Sequence, residues 1–202
     1  MSSKTHPRPG PLTFDPVRVG RAECDAWAAY YRRQWLPFLR AAVGMVRAGF
    51  GLSWWRTLRG SWHVLRANQL WAPFPDNDPD GARAAMTRFY ALVAASGWGG
   101  FDPRRAAELE VRWWRVHREH QHESGVEEAD LVEALVELYS SVYGLPGAAV
   151  RPAAALRVRA MDASDRWVAA GCSPDDPQLA QERRLLVASF TALREAVDRR
   201  PG

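Results

Sequence analysis

The sequence has few of the features that mark secreted or membrane-spanning proteins. Its 202 residues include two cysteines, Cys24 and Cys172, far apart in the chain, which predicts free thiols in a reducing compartment. The first twenty residues hold four prolines and no apolar run, so no signal peptide is expected. No uncharged stretch approaches the roughly 18 residues of a transmembrane helix. These absences predict a soluble protein in the cytoplasm.

The common catalytic and cofactor motifs are also missing. There is no G-x-S-x-G nucleophile elbow, no C-x-x-C pair and no dinucleotide-binding glycine fingerprint. The glycine-rich segment 97–100 follows a predicted helix and has no lysine nearby, which excludes a phosphate-binding loop of the usual kind. We therefore predict no cofactor, and whether the protein is an enzyme is left open.

Metal-binding patterns are incomplete. Residues 76–81 begin like a calcium loop, but position twelve, where a bidentate glutamate is needed, is Thr87. A ferritin-like di-iron site needs two Glu-x-x-His pairs, and only Glu119 with His122 fits. We predict no metal. The alternative is a metal-dependent oxidoreductase in a helical bundle, with His117 and His120 joined by distant carboxylates.

The pattern of helix starts and stops predicts an all-α, single-domain bundle of about seven helices. No segment alternates like a strand. Three Asp-Pro pairs, at 78–79, 102–103 and 176–177, place a capping aspartate before a proline suited to the first helical position. We predict a flexible proline-rich arm over residues 1–19 and one helical domain over 20–200. The predicted helices cover about 22–48 (with a kink or division at Pro37), 53–70, 79–96, 103–122, 126–143, 153–170 and 177–198.

Positive charge is concentrated in the first part of the chain. The net charge is +4, but residues 26–75 contain no acid, seven arginines and six tryptophans. On the helix predicted from Ser53, arginines form one face, and Trp55 and Trp62 lie on the adjoining face. This pattern is typical of a helix at a membrane interface. It also suits an acidic partner or, less well, nucleic acid; a solvated arginine face over a tryptophan-filled core is the structural alternative.

Glu110 and His117 form the most specific polar pattern. Both lie in the middle of the apolar side of the helix predicted over 103–122, two turns apart. Trp113 and Trp114 lie between them on that side. The residue types and spacing predict a polar pocket with an aromatic wall, in which Glu110 and His117 act as catalytic acid–base groups on an apolar or aromatic small molecule.

Other helices are expected to complete this pocket. Arg157 falls on the otherwise apolar side of its own helix, and the looser candidates are Tyr139, Asn68 and Glu23. The predicted ligand-binding residues are thus Trp113, Trp114, Arg157, Tyr139 and Asn68. The structural alternative is a buried bridge between Glu110 and Arg157.

Two functional hypotheses follow, and each has an observation that would favour it. A closed cavity lined by Trp113, Trp114, Glu110 and His117 favours the small-molecule hypothesis. Exposed Trp54, Trp55 or Trp62 beside arginines favours an interaction protein that contacts a membrane surface, an acidic partner or nucleic acid. Whether copies of the chain associate with one another is not decided by the sequence.

Overall fold

The computed structural model describes residues 10–98, 100–123 and 125–200. These residues form eight α-helices and contain no β-strand, so the all-α prediction is confirmed. The helices are α1 (Pro16–Tyr31), α2 (Trp35–Phe50), α3 (Trp54–Trp71), α4 (Pro79–Ala94), α5 (Pro103–His122), α6 (Glu128–Tyr143), α7 (Gly147–Ala169) and α8 (Pro177–Asp198).

Aspartate caps define half of the helix starts. Asp78, Asp102 and Asp176 each accept a backbone N–H of the first turn, and a proline follows each of them, as predicted. Asp15 caps α1 by the same device. The first helix therefore starts inside the range predicted as an arm, and Phe14 just before it is buried against the ring of Phe190. Residues 1–9 of that arm lie outside the described residues.

The chain turns earlier than predicted between the first two helices. The predicted helix 22–48 is divided at residues 32–34, where Arg33 adopts a positive φ of 57°. Pro37 then lies in the first turn of α2. Backbone N–H groups in the first turn make no intrahelical hydrogen bond, so the N–H that proline lacks is not needed there. This division gives eight helices where about seven were expected. Helix α7 also begins six residues before its predicted start, with Pro152 near its N-terminal end.

The helices pack in a closed cycle. Each helix packs against the helices before and after it in the sequence, and α8 packs against α1. Helices α7 and α8 are the most extensively packed pair, whereas α2 and α3 touch each other only sparingly. Most core side chains come from α4 to α8. Helices α2 and α3 contribute few side chains to this core, namely Val46, Ala48 and Ala67.

Candidate functional site: an exposed Trp–Arg surface and a buried polar centre

Exposed apolar side chains are concentrated on α2 and α3. Of the ten large hydrophobic side chains that are exposed in the described residues, seven belong to these two helices. We call these seven, together with the exposed arginines of the same helices, the Trp–Arg surface. Its members are Trp35, Leu36, Leu39, Trp54, Trp55, Leu58 and Trp62, with Arg40, Arg47, Arg56, Arg59 and Arg66.

Helix α2 is apolar but hardly buried. Its sixteen residues include only two charged ones, Arg40 and Arg47, yet only Val46 and Ala48 are fully buried. Leu36 is 81% exposed. A helix of this composition normally turns a broad apolar stripe toward a protein core. Here the N-terminal part of that stripe, Trp35, Leu36 and Leu39, is exposed, while the rest is partly or fully buried.

Helix α3 directs its tryptophans away from the core. Thr57, Gly60 and Ala67 face the interior, and Trp55 and Trp62 lie on the opposite side at 80% and 59% exposure. The predicted criterion for an interaction surface, exposed tryptophan beside arginine, is therefore met.

Two arginine contacts join the helices of this surface to each other and to α4. The Arg47 guanidinium lies over the Trp54 ring at 5.3 Å and so joins α2 to α3. Arg56 donates from Nη1 to the Ala95 carbonyl at the end of α4, at 3.0 Å. Arg56 thus also attaches α3 to α4.

The pKa of His63 on α3 is shifted by burial and by the arginines near it. Burial lowers the pKa of this histidine, and the positive charges of Arg59 and Arg88 lower it further. Arg88 belongs to α4, so the positive potential continues from α3 onto the neighbouring helix. The part of the shift that comes from Arg59 and Arg88 reflects the positive charge of this region.

Glu110 is part-buried, and its hydrogen-bond partner is Tyr90 of α4. Tyr90 donates its hydroxyl to Glu110 Oε2 at 2.7 Å. Burial raises the pKa of Glu110, although the Tyr90 hydrogen bond and the Arg157 charge oppose the shift. The Trp113 indole also lowers the pKa of Glu110. The Nε1 atom of Trp113 is buried and has no hydrogen-bond partner within normal distance and angle. The result is a carboxyl group that favours its neutral form more than a solvated glutamate does.

Arg157 pairs with Glu23, which corrects the predicted bridge to Glu110. Its two terminal nitrogens donate to both Glu23 oxygens, Nη1 to Oε2 at 2.8 Å. Burial alone would lower the pKa of Arg157, but the Glu23 carboxylate outweighs it and the pKa is raised. The guanidinium also lies near the Trp113 and Phe190 rings, at 5.8 and 5.7 Å. Glu23 was only a looser candidate in the sequence, because nothing local shows that α1 and α7 meet.

His117 lies in a separate hydrogen-bonded group. Its Nε2 is 3.3 Å from Asp165 Oδ2, and Gln121 donates to the other Asp165 oxygen at 2.9 Å. Burial would raise the pKa of Asp165, but the His117 and Gln121 hydrogen bonds outweigh it, so the pKa is lowered. Glu110 and His117 are thus bound to different partners, and neither lines the two clefts that the structure describes. Their joint acid–base role remains a prediction.

The remaining predicted residues, Tyr139, Trp114 and Asn68, each lie in different surroundings. Tyr139 is buried near Arg157 and Glu110, and burial raises its pKa to about 12. Trp114 packs at the edge of the core against Trp71, with ring centroids 6.0 Å apart. Asn68 donates to the Val64 carbonyl of its own helix at 2.9 Å, a local contact away from Glu110.

The other histidines of α5 are engaged in contacts of their own. His120 Nδ1 is 2.9 Å from the Val126 carbonyl, and His122 stacks on Phe74 with ring centroids 5.6 Å apart. In the segment that resembled a calcium loop, Asp78 caps α4 and Asp80 pairs with Arg83. Within the described residues, no group of three or more His, Cys, Asp or Glu could hold a metal ion.

A buried acid on α8 was missed by the sequence analysis. Glu182 is 2% exposed, and its Oε2 has no hydrogen-bond partner. Burial, followed by the negative charge of Glu23, raises its pKa from 4.5 to about 7. The signal was available in principle, because Glu182 lies on the same helix face as Leu179 and Leu186.

The Glu182 pKa predicts an unusual dependence of stability on pH. Between pH 4.5 and 7 the folded chain holds this proton and the unfolded chain releases it. The free energy of unfolding should therefore fall as pH rises through that window, by roughly 2 to 3 kcal/mol. Urea unfolding at pH 5 and pH 8 measures the difference, and Glu182→Gln should remove this part of it. An unchanged pH dependence in the variant would contradict the assignment.

Comparisons with protein families, with curated proteins and with solved structures find no match to this chain. The functional argument therefore depends on the geometry and chemistry of its own residues.

Proposed function

We propose that the protein binds anionic membrane surfaces through the Trp–Arg surface. The observation that carries the proposal is the set of seven large apolar side chains exposed on α2 and α3, within a segment of seven arginines and no acid. In this proposal the two helices lie flat in the headgroup region and the rest of the bundle stays in water.

The side-chain types suit a bilayer interface. Tryptophan is amphipathic and concentrates at headgroup depth, where its ring is buried and its N–H stays near water. Arginine binds phosphate oxygens with two parallel hydrogen bonds. Each basic residue near an anionic bilayer contributes about 1 kcal/mol. In the described residues no helix is both long and apolar enough to cross a bilayer, and surface binding through α2 and α3 needs none.

A membrane fits this surface better than other occupants. A second copy of the chain would place two arginine-rich patches without acids against each other, because a symmetric interface uses the same patch of both copies. A peptide ligand would favour a groove, and the two described clefts are lined by residues of α3 to α5 and the α3–α4 connection, away from the exposed tryptophans. The exposed apolar side chains are instead spread along two helices, which suits a partner with an extended surface.

A site-specific fluorescent label tests the proposal. Cys172→Ser leaves Cys24 as the native thiol, and Cys24 is fully buried with its pKa raised to about 12 by burial, so it should not react. A polarity-sensitive dye is then placed at Leu36→Cys on α2 or, as the control, at Arg159→Cys on α7. Phosphatidylglycerol vesicles should shift the emission of the first label to the blue and leave the second unchanged.

Three results would contradict the proposal. The first is no shift at position 36, and the second is an equal shift at both positions. The third is a shift at position 36 with heparin or DNA but not with vesicles, which would identify a polyanionic partner instead.

A further inference from the structure

A cleft beside α5 contains a guanidinium that no carboxylate neutralises. The cleft has a volume of about 440 Å³, and its walls come from the end of α3, the connection to α4, and α5. The residues that define it are Trp71, Phe74, Arg112, Arg115, Arg118 and His122. It lies apart from the buried centre and from the exposed tryptophans of the Trp–Arg surface.

Arg118 differs from the other arginines of this cleft. Arg112 pairs with Glu137 and Arg115 with Glu119. The Arg118 guanidinium instead lies over the rings of Trp71 and Phe74, at 4.5 and 5.3 Å, and donates from Nη2 to the Trp71 carbonyl at 3.0 Å. Its Nη1 is buried and has no hydrogen-bond partner.

This arrangement leaves a donor that an acceptor would stabilise. A buried donor on a charged group is costly to leave unpaired, and a hydrogen bond from such a group is stronger than one between neutral groups. Phe74 is 65% exposed, so it covers the guanidinium from the solvent side. It also stacks on His122 with an angle of 18° between the rings. A planar group could therefore stack beside Phe74 and bring an anionic oxygen to Arg118.

From these contacts, we propose that the cleft binds a small anion attached to a planar ring, with Arg118 Nη1 donating to its carboxylate or phosphate oxygen. The exposed Phe74 ring packs against the ring of the ligand. Three glutamates also line the cleft. Glu119 is paired with Arg115 and Glu108 with Arg105, whereas Glu123 at the end of α5 makes no ion pair within the described residues, so the ligand's anion must be placed on the Arg118 side of the cleft. The site is independent of the proposed membrane surface.

Calorimetric titration tests the site with three probes: inorganic phosphate, phenyl phosphate and benzoate. At least one ring-bearing probe should bind at least about tenfold more tightly than inorganic phosphate, and whether phenyl phosphate or benzoate binds better identifies the preferred anion. Arg118→Gln should weaken that binding at least about tenfold. The control is Arg104→Gln, which changes an exposed arginine of the same helix that does not line the cleft and should leave affinity unchanged.

Two further variants test the site even if Arg118→Gln does not fold. Arg118→Lys keeps the charge but loses the planar fork, so its affinity should lie between those of the native protein and Arg118→Gln. Phe74→Ala should remove the advantage of the ring-bearing probe over inorganic phosphate. The proposal is overturned if none of the probes binds saturably, or if the Arg118 variants bind as tightly as the native protein.

Discussion

Replacing Trp55 and Trp62 together by alanine should weaken binding to phosphatidylglycerol vesicles by about 1,000-fold. Both side chains point away from the core of the bundle and are mostly exposed, so their removal opens no cavity. If each ring transfers roughly half of its surface out of water, it contributes about 2 kcal/mol, and two rings account for three orders of magnitude. Co-sedimentation with vesicles gives the affinities, and circular dichroism should show unchanged helix content.

Charge-reversal variants separate local electrostatics from net charge. Arg59→Glu with Arg66→Glu should weaken vesicle binding at least about 30-fold, because each lost arginine removes about 1 kcal/mol. The matched control is Arg159→Glu with Arg184→Glu, which changes the net charge equally at exposed positions of α7 and α8. Equal losses in the two pairs would show that only overall charge matters and would contradict a defined surface. Arg56 is left unchanged because it also bonds Ala95.

The second large effect is expected inside the bundle. Arg157→Met should lower the free energy of unfolding by about 3 to 5 kcal/mol, because it leaves the Glu23 carboxylate buried without its partner. Glu23 and Arg157 have side chains only 7% and 15% exposed, so water replaces little of the lost interaction. Urea unfolding followed by circular dichroism measures the change without relying on tryptophan fluorescence.

A double variant shows whether the loss comes from the unpaired charge. Adding Glu23→Leu to Arg157→Met removes both charges and should restore most of the stability, since two apolar side chains can replace a buried pair at little net change. If the double variant is as unstable as the single one, the loss comes from packing around Phe190 and Trp113. The assignment of a stabilising pair would then be wrong.

Sequence reasoning predicted the features that depend on local chemistry. Capping aspartates followed by proline determine where α4, α5 and α8 begin, because both residues act within one helical turn. The exposed tryptophans beside arginines were one of two alternatives that the sequence left open, because the spacing alone does not show whether the tryptophan face is turned toward the core. Local spacing likewise placed Glu110 on the inner side of its helix.

The partners of the buried groups could not be predicted in the same way. Arg157 had two inward carboxylates to choose from, Glu23 and Glu110, and the choice depends on α1 closing the cycle of helices beside α8. Tyr90 reaches Glu110 because α4 and α5 are neighbours, and each is rotated about its own axis so that these two side chains face each other. Such rotations are set by the packing of the whole core and leave no mark in the spacing of a single helix.

The most direct test of the proposed function is the binding of the unmodified protein to vesicles of phosphatidylglycerol and of phosphatidylcholine. It should be measured at ionic strengths of about 0.01 M and about 0.1 M, between which the screening length falls from about 30 to 10 Å. We expect at least about 100-fold tighter binding to the anionic vesicles at the lower ionic strength, and a smaller difference at the higher one. Equal binding to both lipids, or no binding to either, would contradict the proposal.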